Sequence, residues 1–325
     1  MSGDVALVAI TGATGFVGSA VVRRLIERTG YSVRVAARGA YARTQRINVV
    51  TAQSLAPDNQ WASLVTGADV LIHCAARVHV LNETADEPDQ EYFRANVTAT
   101  LNLAEQAAAA GVRRFIFLSS IKACGEFTRP GEPFRADDPC HPLDAYGVSK
   151  QKAEEGLRAL SVRTGMEVVI IRPVLVYGPG VKANFRSMMR WLDKRLPLPL
   201  GSVDNRRSLV AVDNLADLVV VCVDHPAAAD QTFLVSDGDD LSTTRLLREI
   251  GKALGKPARL LPLPAPLLKG VAALLGKKAF SQRLCSSLQV DISKTCRMLD
   301  WHPPVSIEKA MQDTARYYLE HDKHD

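Results

Sequence analysis

Short apolar runs alternate with stretches of helical periodicity along the first half of the chain. Residues 5–10 form a continuous apolar run, and Val21, Val22, Leu25 and Ile26 then fall on one face of a helix expected over 17–28. Further strand-length runs follow at 32–37, 49–51, 70–73 and 114–118, with a long helix expected over 92–110 between the last two. A helix over 146–164 leads into 167–172, whose middle is continuously apolar, as in a strand covered on both faces. This rhythm is that of parallel βαβ units, and it predicts an α/β fold with a doubly wound Rossmann sheet.

After residue 173 the pattern changes to proline-rich connections (Pro179, Pro197, Pro199) between short helices. The expected organisation is a dinucleotide-binding domain over 1–173 with a return segment around 207–236. A smaller substrate-binding lobe is expected from 174–206 and 237–325. The most membrane-like stretch, 259–276, is interrupted by Pro262, Pro264, Pro266 and Lys269, so it reads as a strand, a turn and a packed helix rather than an integral membrane segment.

Composition narrows the function class. With 325 residues and 47% of them hydrophobic, the chain can bury a large core. The formal net charge of +5 comes from dispersed charges, which argues against a nucleic-acid partner and suits a phosphate-bearing ligand. The six cysteines are scattered without C-x-x-C pairs or histidines at metal-ligand spacing, so reduced thiols in a cytoplasmic protein are expected, and no metal.

The first strand runs straight into Thr11-Gly12-Ala13-Thr14-Gly15-Phe16-Val17-Gly18 and a helix. Glycines there allow a tight turn, close backbone approach to a pyrophosphate, and packing of helix on strand, while the helix N-terminus offers free N–H groups. At the tip of the second strand a carboxylate would accept hydrogen bonds from an adenosine ribose. This chain has Ala36-Ala37-Arg38 instead, which favours NADP(H) and leaves NAD(H) open. Downstream, Ser119-Ser120 ends a central strand, and Tyr146-Gly147-Val148-Ser149-Lys150 opens a helix. Tyr146 and Lys150 share a helix face, so the ammonium, with an oxidised nicotinamide adding a second positive charge, is expected to lower the phenol pKa towards neutrality.

Glycine turn, strand-end serines and Tyr-x-x-x-Lys in this order resemble the extended short-chain dehydrogenase/reductase family of sugar-nucleotide epimerases, dehydratases and reductases. The resemblance spans nearly the whole chain. It implies Tyr146 as the catalytic acid/base, Lys150 as its tuning partner on the nicotinamide ribose, and Ser120 as hydrogen-bond donor to the reacting oxygen. It also implies a cofactor site of Gly12, Gly15, Phe16, Val17, Gly18, Arg38, Ala75, Ala76, Asn96, Tyr146, Lys150 and Pro173. Substrate contacts would come from Ser120, Lys122, Asn184 and Arg207, with Arg206 an alternative to Arg207.

Dehydratases of the family carry an Asp-Glu pair where this chain has Ile121 and Lys122, which disfavours dehydration. Two reactions remain. The sequence is similar to bacterial O-antigen enzymes that reduce UDP-4-keto-6-deoxy-N-acetylglucosamine, which makes an NADPH-consuming 4-keto reductase the expected activity in lipopolysaccharide sugar synthesis. A UDP-glucose or UDP-N-acetylglucosamine 4-epimerase is the alternative, and a non-catalytic dinucleotide-binding protein a remote one. Relatives commonly dimerise, so a homodimer through the helices at 92–110 and 145–164 is expected.

Overall fold

A computed structural model describes residues 5–52, 54–78, 87–129, 131–264, 266–267, 270 and 284–322. Its strands are β1 (Ala6–Thr11), β2 (Tyr31–Ala37), β3 (Ile47–Thr51), β4 (Val70–His73), β5 (Arg114–Leu118), β6 (Glu167–Pro173), β7 (Leu175–Tyr177), β8 (Leu209–Ala211) and β9 (Thr232–Val235). Seven of them form one parallel sheet in the order β3-β2-β1-β4-β5-β6-β9. The fold is a Rossmann-type α/β fold. The chain winds outward from β1 to β3 and then crosses back to β4, so β1 and β4 pair (Ile10 with Ile72) where the direction of winding reverses. That reversal opens a crevice at the carboxyl edge of the strands.

The helices are α1 (Phe16–Glu27), α2 (Ala62–Val65), α3 (Pro88–Phe93), α4 (Ala99–Ala109), α5 (Ala145–Thr164), α6 (Ala183–Asp193), α7 (Val212–Asp224), α8 (Thr243–Ala253), α9 (Ser293–Leu299) and α10 (Ile307–Tyr317). Both faces of the sheet are covered, which explains its uninterrupted apolar strands. Val8 and Ile10 pack with Val21, Leu25, Leu215 and Val219 of α1 and α7. Ala9, between them, faces the other way, into a cluster with Leu103 of α4 and Leu157 of α5. Each fully buried Leu, Val or Ile contributes roughly 1.5–3 kcal/mol of apolar burial. A third cluster, with Phe185, Leu209, Leu247 and Met311, builds the smaller part of the molecule from α6, β8, α8 and α10.

Two stretches differ from the periodicity. The helix expected over 92–110 begins earlier, at Pro88, and its middle, Arg94–Thr98, is a π-turn between α3 and α4. The wide turn faces Asn96 inward, where its amide accepts from Arg77 N–H (2.8 Å) and donates to Arg77 O (3.0 Å) and Ser149 Oγ (3.0 Å). Of the stretch 207–236, Thr232–Val235 joins the main sheet as its edge. Leu209–Ala211 pairs with β7 instead, and Val212–Asp224 is the helix packed on α1. Half of 259–276 lies outside the described residues; within it, Leu260 makes an isolated bridge to Leu198. Among the described residues no helix is long and apolar enough to cross a membrane.

Candidate active site

The turn after β1 is built by sterics. Gly12 has φ +73°, and a Cβ there would stand 2.6 Å from Ala75 N and 2.8 Å from the Cys74 carbonyl carbon. A Cβ on Gly18 would overlap the Gly12 carbonyl, so the first turn of α1 can sit on the loop only without a side chain. Gly15 caps α1 in an extended conformation, and no acidic residue occupies that first turn. The N–H end of the helix therefore keeps its positive dipole uncompensated. A backbone cradle that a Cβ would fill, at an acid-free helix N-terminus, fits the pyrophosphate of a dinucleotide.

The cradle opens into a cavity of about 870 Å³ at the carboxyl edge of the sheet. Its walls bring together Gly12, Gly15, Phe16, Val17, Gly18, Arg38, Ala75, Ala76, Ser120, Tyr146, Lys150 and Pro173. Asn96, Lys122, Asn184 and Arg207 are not part of this lining. Asn96 is buried and spent on Arg77 and Ser149, so it braces the loop after β4 rather than facing the cavity.

Ser120 lies just beyond β5 and caps the short turn Ile121–Ala123, its Oγ accepting from Lys122 N–H at 3.2 Å. Asp144 caps α5 by accepting from Gly147 N–H at 2.7 Å. Lys122 ion-pairs with Asp144 and with Glu126 (2.9 Å), which locks the Ser120 turn to the head of α5. Two carboxylates thus hold the ammonium that was expected on substrate. The packing is tight: a Cβ on Gly147 would come 2.5 Å from Lys122 O. The result is that Ser120 and Tyr146 stand together in the wall of the cavity.

Lys150, 2% exposed, donates to Leu118 O at 2.8 Å and lies 4.5 Å from the Phe117 ring centroid. Burial lowers its pKa to about 8, against the opposing charge of Glu154. Tyr146 departs from the sequence expectation. Burial raises its pKa to about 12; the nearby Ser120 hydroxyl pulls down, while Asp144 and Tyr92 push up. The helix spacing does place Lys150 near the ring, but 6.0 Å from its centroid and committed to the Leu118 carbonyl. Desolvation of the phenolate outweighs a cation so placed.

Sequence reasoning passed over two residues that hold this corner. Glu154, fully buried on α5, accepts from Ser119 Oγ (2.5 Å), from Arg158 (3.2 Å) and from Arg172 (2.6 and 3.0 Å). Arg172 on β6 is itself 2% exposed and also donates to Ala136 O at 3.1 Å. A signal was available: a charge inside the apolar run 167–172 has to find a partner in the core. Farther out, Asn184 is exposed in the first turn of α6. Arg207 is partly buried, with its guanidinium donating to Ser286 O at 3.2 Å and burial lowering its pKa, whereas Arg206 is exposed.

The pattern that defines the NAD dependent epimerase/dehydratase family matches residues 8–236. The chain belongs to this family. It is an enzyme of the short-chain dehydrogenase type, as the cradle and the Tyr146–Lys150 corner lead one to expect. Among family members, a UDP-glucose 4-epimerase of Vibrio cholerae is 46% identical over 312 residues, covering 96% of this chain and 95% of that protein. In fold, the chain is similar to the UDP-glucuronic acid 4-epimerase of Bacillus cereus solved with NAD, at 20% identity and a TM-score of 0.78 over 97% of this chain and 99% of that one. It is similar too to the UDP-glucose 4-epimerase of Thermotoga maritima solved with UDP-glucose, at 22% identity and a TM-score of 0.75 over the same shares, 97% and 99%.

Proposed function

We propose that the protein is a UDP-hexose 4-epimerase in which Tyr146 and Ser120 handle the C4 oxygen of the sugar. The observation that carries this reading is that Ser120, Tyr146 and Lys150 line the same cavity that holds the glycine cradle. The 46% identity to the Vibrio cholerae epimerase supports the epimerase over the 4-keto reductase that the sequence favoured. Gly12, Gly15 and Gly18 would hold the pyrophosphate of a nicotinamide dinucleotide, with Ala75, Ala76, Lys150 and Pro173 towards its nicotinamide half. When bound, the dinucleotide supplies a hydride acceptor for C4, the same hydride for return, and a positive charge that favours the phenolate.

The protein's own groups handle the protons. Tyr146, neutral at ordinary pH, is loaded to protonate an alkoxide at C4, and in the reverse direction its phenolate accepts the C4 hydroxyl proton. Ser120 donates to the same oxygen and keeps it facing Tyr146. Lys150, with its pKa brought to about 8, carries a positive charge near neutrality where it stabilises the ionised phenol. Ile121 and Lys122 supply no second acid/base pair, since Lys122 is held by Asp144 and Glu126. Arg207 and Asn184 are assigned to the sugar-nucleotide diphosphate, for which a guanidinium with several donors is suited.

One observation favours a second reading, the NADPH-consuming 4-keto reductase. Arg38 lines the cavity just past the tip of β2, where a 2′-phosphate would meet it and no acid stands. A single assay separates the two. Purified protein is given UDP-glucose or UDP-N-acetylglucosamine with catalytic NAD, and in parallel a UDP-4-keto-6-deoxy-hexosamine with NADPH. Interconversion of gluco and galacto sugars without net nicotinamide consumption is the expected result. Stoichiometric NADPH loss on the keto sugar, with no interconversion, would overturn the epimerase reading.

A further inference from the structure

Arg172 spans two elements that carry the catalytic groups, and it does so through sulfur. Its Nη1 donates to Cys124 Sγ at 3.3 Å and its Nη2 to Cys140 Sγ at 3.1 Å. One guanidinium thus gathers the two sulfurs, and the backbone joins at the same place through His141 N–H to Cys124 O at 3.1 Å. Cys124 closes the turn that begins at Ser120, while Cys140 lies on the segment leading to Asp144 and Tyr146. Cys124 is 1% exposed, and Cys140 is only half-buried and open to a small oxidant. None of this is used by the chemistry assigned to Tyr146.

We propose that Cys124 and Cys140 are a peroxide-responsive dithiol that closes reversibly to a disulfide behind the active site and lowers turnover when closed. The neighbouring Cys124 thiol and the Arg172 charge draw the Cys140 thiol below its ordinary range, which favours the nucleophilic thiolate. That thiolate attacks a peroxide oxygen, the O–O bond breaks, and a sulfenic acid forms on Cys140 with release of water or an alcohol. Cys124 then attacks the Cys140 sulfur; the S–S bond forms, the S–OH bond breaks, and water leaves with the Cys124 proton. Overall the two sulfurs give two electrons to the peroxide, and a dithiol reductant returns them.

Closure has a route to catalysis. A disulfide holds its sulfurs about 2.05 Å apart, well inside the separation of two unbonded thiols that each accept from a different nitrogen of one guanidinium. It shortens the span between the Ser120 turn and the approach to Tyr146, and it takes away the acceptors on which Arg172 rests. Arg172 in turn holds Glu154, which holds Ser119 beside Ser120.

The test treats the full-length protein with a tenfold excess of hydrogen peroxide, traps free thiols by alkylation, and maps tryptic peptides without reduction. Cleavage after Arg135 separates the two cysteines, so a Cys124–Cys140 cross-link appears as a linked pair. We expect that pair, a fall in turnover of at least threefold, and recovery on adding dithiothreitol. Cys124→Ser and Cys140→Ser, each measured against its own untreated rate, should resist the loss, whereas Cys296→Ser should behave like the parent. No linked pair, a linked pair with unchanged turnover, or an equal loss in Cys124→Ser would each overturn the proposal. The turnover arm rests on the epimerase reading; absence of UDP-hexose turnover in untreated protein counts against that reading, while the peptide map still decides the dithiol.

Discussion

The glycine cradle and the tyrosine corner share one cavity, yet opposite means hold them in shape. The cradle is made of backbone, and its geometry depends on side chains being absent: Gly12 touches the Cys74–Ala75 turn and Gly18 touches Gly12. It comes from one continuous stretch, a strand, a turn and a helix. The corner is made of side chains drawn from β5, α5, β6 and the loop carrying Asp144, and its geometry depends on charges buried and paired away from water. A steric site tolerates almost no added volume but is indifferent to charge. An electrostatic one tolerates isosteric change but not an unpaired ion. Each predicts its own way of failing.

The sharpest break should come at Glu154. Glu154→Ala leaves the Arg172 guanidinium buried without its carboxylate, and removing one member of such a pair costs about 3–5 kcal/mol. A denaturant titration should show the midpoint falling accordingly, and an unchanged midpoint would mean that the corner is not held by this pair.

Tyr146→Phe comes next. It removes the proton and keeps the ring, so kcat should fall by at least about 10²-fold while dinucleotide affinity, a property of the cradle, stays within about twofold. Fluorescence titration and turnover on the same preparation check both halves. Parallel loss of binding would mean that the two regions are not separable.

In the other region, Gly18→Ala forces the head of α1 off the loop. Overpacking of this kind costs roughly 1–3 kcal/mol, and here it should appear as weaker dinucleotide binding. Gly15→Ala, whose Cβ meets only Gly12 O at 3.1 Å, should cost less. Similar affinities for the two variants would argue against a steric cradle.

The smallest effect is a pH dependence in the corner. Burial holds the Lys150 pKa near 8 against 10.5 in the unfolded chain, so between these values the unfolded state binds more protons. This group therefore destabilises the fold below about pH 8, and the penalty is relieved as pH rises towards 10.5. Unfolding free energies of the parent and of Lys150→Met, compared at pH 7 and pH 9.5, should differ by an amount that shifts by on the order of 1–2 kcal/mol in favour of the parent at the higher pH. A pH-independent difference would show that Lys150 is not desolvated as the structure has it.

The two regions were unequally legible beforehand. The cradle could be read residue by residue, because tight turn, helix start and glycine spacing are local; only the Cys74–Ala75 turn that Gly12 meets is brought in from the end of β4. The positions of Ser120, Tyr146 and Lys150 in one cavity also followed, since strand ends and helix heads gather at one edge of a parallel sheet. The roles of the polar residues around them did not follow. Asn96 was assigned to the cofactor and is turned inward by a π-turn; Lys122 was assigned to the substrate and is held by Asp144 and Glu126.

The alternation of strands and helices, the glycine turn and the pairing of Tyr146 with Lys150 on one helix face are all written along the chain, as consequences of short-range periodicity and steric fit. Tertiary structure alone decided which charges meet in the core: Glu154 with Arg172, Arg172 with two sulfurs, and Lys150 with the Leu118 carbonyl rather than the phenol. The reason is physical. A pKa and an ion pair depend on burial and on distance in space, and neither can be counted along the chain.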